Sequence, residues 1–182
     1  MSIIIVSDVF GITPALLTLK HELGATIVID PYQGKNMGFT NEAEAYSYFV
    51  TSVGLDSYVA EVLKVLTGID CQTTLIGFSV GASAIWKASE SNEKNMIKDA
   101  VCFYGSQIRN FTQIAPCFNI KLVFPKSEAH FDVVELMEKL KNKPNVKITQ
   151  VDYLHGFMNF HSTNFDRVGY KDSVDLLQST LV

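Results

Sequence analysis

The sequence predicts an α/β protein with a mostly parallel sheet of about six strands and helices on both faces. Short apolar runs rich in β-branched residues recur along the chain, and stretches with helical spacing separate them. Most of these runs are continuous rather than alternating, as in strands that are covered on both faces. A chain of 182 residues without an evident linker fits a single domain, predicted over residues 1–182.

Six apolar runs are predicted as strands, because each is short and bounded by turn residues or by a helical pattern. They lie at residues 3–7, 26–30, 73–78, 101–104, 121–124 and 146–151. The preference for right-handed crossovers between parallel strands favours a doubly wound sheet.

Helices are predicted where apolar residues recur at helical spacing between these runs. Pro14 opens the first helix and Gly68 closes the second, which are favoured positions for proline and glycine. The helical patterns cover residues 14–23, 59–66, 81–89, 133–140 and 174–181. Residues 32–54 are the least regular segment, expected near the carboxyl edge of the sheet where ligands bind.

Composition excludes several classes of partner. The net charge is −4, and only two arginines are present, so we expect no nucleic-acid partner. No apolar run reaches the length of about 20 residues that a membrane span needs, and the amino terminus lacks the basic start of a signal peptide. Three cysteines without CxxC spacing suit reduced thiols. We therefore expect a cytoplasmic protein with no membrane contact.

The stretch LIGFSVGASAIW, residues 75–86, carries the strongest chemical signal. A predicted strand turns there directly into a helix, with Gly77 and Gly81 on either side of Ser79. Such a turn exposes the serine hydroxyl above the sheet at the positive end of a helix. This context predicts that Ser79 is a nucleophile and that the N–H of Val80 stabilises an oxyanion.

A nucleophilic serine needs a base, and in a serine triad on such a sheet the histidine comes last in the chain. His155 follows the last predicted strand, within Tyr153-Leu154-His155-Gly156-Phe157. We predict that His155 is the base, with His161 as a minor alternative. The histidines lack metal-ligand spacing with cysteine or carboxylate neighbours, so we expect no metal.

Two carboxylates compete to orient the histidine, because both follow the strand at 121–124. Asp132 is followed by Glu135 and an apolar helical run, which is typical of an N-cap with a capping box. Glu128 has no such structural role, so Glu128 is the preferred acid. The second oxyanion donor should come from the loop after the first strand, where the N–H of Val9 is the candidate.

Five segments together resemble the dienelactone hydrolase family of α/β-hydrolases, over nearly the whole chain. The resemblance implies a compact α/β-hydrolase fold and a hydrolase of small esters or lactones that acts without a cofactor, usually in the cytoplasm. The segments are residues 8–11 (DVFG), 29–32 (IDPY), 77–81 (GFSVG), 101–105 (VCFYG) and 155–157 (HGF).

The chain also departs from the pattern of this family. Ser79 stands where members often carry cysteine, and Glu128 where the acid is commonly Asp in a Gly-x-x-Asp turn. Glu42 and Asn159 match regions where members that cleave dienelactones hold the substrate carboxylate with arginines, so an anionic dienelactone is not the expected substrate. The chain also begins at what would be the third strand of the family, which implies a smaller sheet.

We therefore predict a serine hydrolase of small carboxylic esters, thioesters or lactones, with a small-molecule substrate and no cofactor. Ser79, His155 and Glu128 are the predicted catalytic residues. Aromatic residues predicted to line the substrate pocket are Phe10, Tyr46, Tyr104 and Phe157. The alternative from another class is a non-catalytic protein that binds a ligand or partner on the same scaffold.

Overall fold

A computed structural model describes residues 2–91 and 95–181. In these ranges the chain forms one sheet of six parallel strands in the order β2-β1-β3-β4-β5-β6. Residues 1, 92–94 and 182 of the predicted domain lie outside the described residues. The strands are β1 (Ser2–Val6), β2 (Ile27–Ile29), β3 (Thr73–Phe78), β4 (Ile97–Phe103), β5 (Asn119–Phe124) and β6 (Val146–Gln150).

In the described ranges, five α-helices and one 3₁₀ turn lie between the strands, and a sixth helix follows the last strand. Two separate apolar clusters cover the two faces of the sheet, one with side chains of α2 to α5 and the other with side chains of α1 and α6. The doubly covered parallel sheet predicted from the sequence is therefore confirmed. The helices are α1 (Pro14–Glu22), α2 (Glu42–Ser52), α3 (Leu55–Thr67), α4 (Val80–Ala88), α5 (Val133–Leu140) and α6 (Arg167–Leu181), and the 3₁₀ turn is Ser106–Asn110.

Helix α2 corrects the prediction that residues 32–54 are irregular. The Asn41 side chain accepts a hydrogen bond from the Glu44 N–H at 2.9 Å, and the Glu44 carboxylate accepts one from the Thr40 N–H at 3.2 Å. These bonds satisfy amides that would otherwise have no partner at the start of the helix. Ala45 and Phe49, four residues apart on one face, are buried in the core. The polar start and this apolar stripe explain why the segment is helical.

Among the helices of residues 2–91 and 95–181, none combines the length and hydropathy that crossing a bilayer requires.

The central strand β3 and the helix after it pack very closely against β1. All six residues of β3 are buried. At Gly81, in the first turn of α4, a β-carbon would lie 2.3 Å from the carbonyl oxygen of Val6 and 2.4 Å from that of Ser7. Only glycine permits this approach without moving backbone atoms, so Gly81 fixes the distance between the start of α4 and the carboxyl end of β1.

We expect Gly81→Ala to lower the free energy of unfolding by at least about 3 kcal/mol, because the added methyl overlaps two backbone carbonyls that cannot rotate away. Thermal and urea unfolding would measure the loss. Gly68→Ala is the matched control, since Gly68 has a φ of −85° and its nearest contact would lie at 3.4 Å. That variant should stay within about 1 kcal/mol of the wild type. Equal stability of the two variants would contradict the packing argument.

Candidate active site

Ser79 occupies the turn between β3 and α4, and its backbone is held in a sparsely populated conformation. Its φ is 52° and its ψ is −113°, a combination that non-glycine residues rarely adopt. A β-carbon on Gly77, two residues before Ser79, would lie 2.8 Å from the Cα of Ala82. Packing therefore requires glycine at this position as well. The Ser79 N–H donates to the Phe103 carbonyl at 3.0 Å, which ties the turn to β4.

His155 reaches Ser79 from the loop after β6. The Ser79 Oγ and the His155 Nε2 are 3.0 Å apart, although 76 positions separate the two residues. Gly156, with a φ of 81°, adopts the left-handed conformation that the turn after the histidine needs. The Asn164 side chain donates to the His155 carbonyl at 3.0 Å and anchors the loop. The imidazole is thus positioned at hydrogen-bond distance from the serine hydroxyl.

Glu128 contacts the other nitrogen of the imidazole. Its Oε1 lies 2.7 Å from the His155 Nδ1, and its side chain is only 9% exposed. Asp132, the competing carboxylate, instead accepts hydrogen bonds from the N–H groups of Val134 and Glu135 and caps α5. The structure therefore places Glu128 beside the histidine and Asp132 at the helix start.

The electrostatics around His155 favour its protonated form. Burial on its own lowers the pKa of the imidazole. The hydrogen bond and charge of Glu128, with the charges of Glu42 and Asp8, outweigh burial and raise that pKa above its ordinary value. The result is a stronger base than a histidine free in water.

The two predicted oxyanion donors lie on the same edge of the sheet. Val80 begins α4, so its N–H points out of the helix at the positive end of the helix dipole. Val9 follows β1 and lines the same cavity as Ser79. Within the described part of the chain, neither N–H donates a hydrogen bond to another protein group. Both amides are therefore free to donate to a ligand.

Ser79 opens onto a small cavity whose lining residues are more polar than the sequence indicated. Phe10 lines this cavity and stacks on the ring of His161, the alternative histidine, at 5.3 Å between centroids. The other residues that line it are Asp8, Val9, Glu42, His155, Gly156, Asn159 and Ser162.

The remaining aromatic residues predicted for the pocket lie elsewhere. Tyr104 is buried, and its ring packs against His155 at 5.0 Å between centroids. Phe157 is fully buried behind Tyr104 as part of the core. Tyr46 lies on α2 with 48% of its surface exposed and does not line the cavity.

Two further carboxylates, those of Asp8 and Glu42, lie at the cavity. The Glu42 Oε1 lies 4.0 Å from the His155 Nε2, and the Asp8 carboxylate accepts hydrogen bonds from the Phe10 N–H and the Asn159 side chain. Burial raises the pKa of Asp8 to about 6, although these two hydrogen bonds oppose the shift. The signal for Asp8 was its position just after β1, and the signal for Glu42 was its match to the region where members of the resembled family hold the substrate. The contact of Glu42 with His155 could be placed only once α2 was known.

We compared the sequence and the fold with those of known proteins. No protein-family model matches the chain. The uncharacterized protein YczH of Bacillus subtilis (strain 168) is 38% identical over 107 residues, which are 58% of this chain and 52% of that protein. The chain thus aligns with about half the length of this relative.

Solved structures of hydrolases superpose on nearly the whole chain. The dienelactone hydrolase of Anabaena variabilis has a TM-score of 0.66 at 12% identity, with 98% of this chain and 84% of that chain covered. Est1E from Butyrivibrio proteoclasticus has a TM-score of 0.63 at 10% identity, with 98% and 86% covered. A Xanthomonas campestris pv. campestris protein assigned to the α/β hydrolase superfamily has a TM-score of 0.64 at 12% identity, with 100% and 98% covered. The chain therefore has an α/β-hydrolase fold similar to that of the dienelactone hydrolases.

Proposed function

We propose that this protein is a serine hydrolase of small carboxylic esters, thioesters or lactones. The observation that carries the proposal is the row of hydrogen-bonding distances from Ser79 through His155 to Glu128, at 3.0 Å and 2.7 Å. The three side chains come from the loops after β3, β6 and β5, so the sheet edge brings them together. This order of nucleophile, base and acid matches the requirement for activating a serine hydroxyl.

Glu128 sets the tautomer of His155 in this mechanism. The carboxylate accepts the proton of Nδ1–H, which leaves Nε2 as an acceptor for the Ser79 hydroxyl. As the Ser79 oxygen attacks the ester carbonyl, its proton passes to Nε2, and the imidazolium is stabilised by the carboxylate. The proton stays on the imidazole and is not passed on to Glu128.

The negative charge that develops on the carbonyl oxygen is assigned to the amides of Val9 and Val80. The Val9 N–H lies in the turn after β1 and the Val80 N–H at the start of α4, so both donors are in place before charge forms. One donor of this kind typically contributes about 10²–10³ in kcat.

The second half of the reaction regenerates the enzyme. The His155 imidazolium gives its proton to the leaving alcohol or thiol, and the carbon–oxygen or carbon–sulfur bond of the substrate breaks. Water then attacks the acyl group on Ser79 while His155 accepts a proton from it. The acid is released and the Ser79 hydroxyl is restored.

A fluorophosphonate probe with in-gel detection tests the proposed nucleophile directly. We expect labelling of the wild type, no labelling of Ser79→Ala, and strongly reduced labelling of His155→Ala, because the hydroxyl then lacks its base. The Ser57→Ala variant is the matched control, since Ser57 is exposed on α3, does not line the cavity and should leave labelling intact. An unreactive wild type with a normal unfolding transition would favour the non-catalytic binding protein.

We expect variants of Glu128 and Asp132 to differ in both kcat and the free energy of unfolding. Glu128→Gln should lower kcat for p-nitrophenyl acetate by about 10³–10⁴-fold, because the amide no longer selects the productive tautomer. Asp132→Ala should leave kcat within about twofold and cost about 1 kcal/mol of unfolding free energy through loss of the α5 cap. Steady-state kinetics and urea unfolding on both variants provide the readouts. The reverse pattern would assign the acid to Asp132.

The acid limb of the pH profile should report the raised pKa of His155. Only neutral imidazole accepts the Ser79 proton, so kcat/KM should rise with pH through an apparent pKa above that of an ordinary histidine. Glu42→Gln removes a negative charge that favours the imidazolium, so the limb should move to lower pH. Glu128 and Asp8 also face the imidazole and are unchanged in this variant. A limb that moves to higher pH or stays fixed would contradict the electrostatic assignment.

A further inference from the structure

The carboxylate of Glu42 faces the reaction centre directly. It lies at the start of α2, and its Oε1 is 4.0 Å from the same His155 nitrogen that faces Ser79. The side chain is 41% exposed, so it borders both the cavity and solvent. A substrate bound at Ser79 would therefore lie within reach of this negative charge.

A second carboxylate, Asp8, lines the same cavity and adds to the negative potential. Glu128 adds less to this potential, because its carboxylate is paired with the His155 imidazole. Among the described residues that line the cavity, none is a lysine or an arginine. Two carboxylates thus border the space above Ser79 without a cationic partner other than His155 itself.

Glu42 lies in the first turn of α2, where a negative charge suits the helix dipole, but the helix start does not need its carboxylate as a cap. The start of α2 is already capped by Asn41 and by Glu44, whose carboxylate accepts hydrogen bonds from the N–H and hydroxyl of Thr40. Apart from its contact with His155, the Glu42 carboxylate accepts within the described residues a single long hydrogen bond of 3.5 Å, from the Ser162 hydroxyl. The Glu42 carboxylate, which faces His155, is therefore available to contact a ligand.

An aromatic groove adjoins the cavity and has the chemistry that organic cations favour. Phe10 lines both spaces, and the groove beside it is also bordered by Phe39 and His161. Aromatic faces attract alkylammonium groups, and nearby carboxylates strengthen the attraction. This groove is independent of the carboxylates, and it shares Phe10 with the cavity beside Ser79.

We propose that Glu42, assisted by Asp8, makes the site selective for small esters whose acyl or alcohol part carries an ammonium group. This inference rests on the proposed esterase function and names its substrate class. A positive charge a few ångströms from Glu42 gains Coulomb energy that a neutral group of the same shape does not. Because the carboxylate is partly exposed, the expected preference is about tenfold rather than the larger factor of a buried pair.

Acetylcholine and 3,3-dimethylbutyl acetate test this inference, because they share one shape and differ by a single positive charge. We expect kcat/KM for acetylcholine to exceed that for the neutral ester by about tenfold in the wild type at low ionic strength. Glu42→Gln should reduce this ratio to between about one and three. The ratio removes any general effect of Glu42 on His155, since both esters share the same chemical step.

Glu44→Gln is the matched control for charge. It removes one negative charge from the same first turn of α2, but its side chain faces Thr40 rather than the cavity. This variant should keep the tenfold ratio. A wild-type ratio near one, or a ratio that survives in Glu42→Gln, overturns the inference.

Binding to the Ser79→Ala variant separates this inference from the proposed function. Calorimetry should show acetylcholine binding about tenfold more tightly than 3,3-dimethylbutyl acetate, with the difference lost when Glu42→Gln is added. Equal binding of the two esters overturns the charge selectivity even if both are hydrolysed. Selective binding without hydrolysis of either ester by the wild type would instead overturn the esterase function and leave the cation preference standing.

Discussion

The close approach of α4 to the carboxyl end of β1 is the constraint on which the site depends. Gly81 lets the helix start touch the carbonyls of Val6 and Ser7, and this contact holds Ser79 at a φ of 52°. The strain is sustained because the surrounding backbone is fixed by strand pairing and by the Ser79–Phe103 hydrogen bond. Parallel strands end at one edge, so the loops after β5 and β6 bring Glu128 and His155 to the same place. Packing at one glycine thus determines where the hydroxyl stands relative to every other functional group.

Electrostatics at this edge involve a compromise. Three carboxylates, from Glu128, Glu42 and Asp8, act on one imidazole and raise its pKa. A higher pKa makes His155 a stronger base toward Ser79, but it also increases the fraction that is protonated near neutral pH and unable to accept a proton. Burial of His155 acts in the opposite direction, because it penalises the charged form. The partial exclusion of water around His155 therefore limits the effect of the acidic surroundings.

Sequence reasoning recovered the fold because the fold depends on local patterns. The catalytic roles of Ser79, His155 and Glu128 stay a prediction, although their side chains lie at hydrogen-bonding distances. Continuous apolar runs mark strands that are buried on both faces, and a strand-turn-helix with two glycines admits few geometries. Helix α2 was missed because tyrosines and flanking glycines suggested an irregular segment, although Asn41 and Glu44 carried a capping signal. Missing α2 also meant missing the contact of Glu42 with His155. The placement of Phe157 in the core and Tyr46 at the surface could not be predicted, since an aromatic residue suits core, pocket and surface alike.

The proposed charge selectivity and the proposed catalysis reside on different parts of the chain. Ser79, Glu128 and His155 all follow strands of the sheet, so changes to any of them affect chemistry that the whole edge supports. Glu42 belongs to α2, which joins β2 to α3 and packs on the sheet through Ala45 and Phe49 on its buried face. Its carboxylate reaches the cavity without taking part in that packing. A substitution at Glu42 therefore alters the potential at the cavity without moving the serine turn, which makes α2 the element through which this fold can adjust the charge of its substrate.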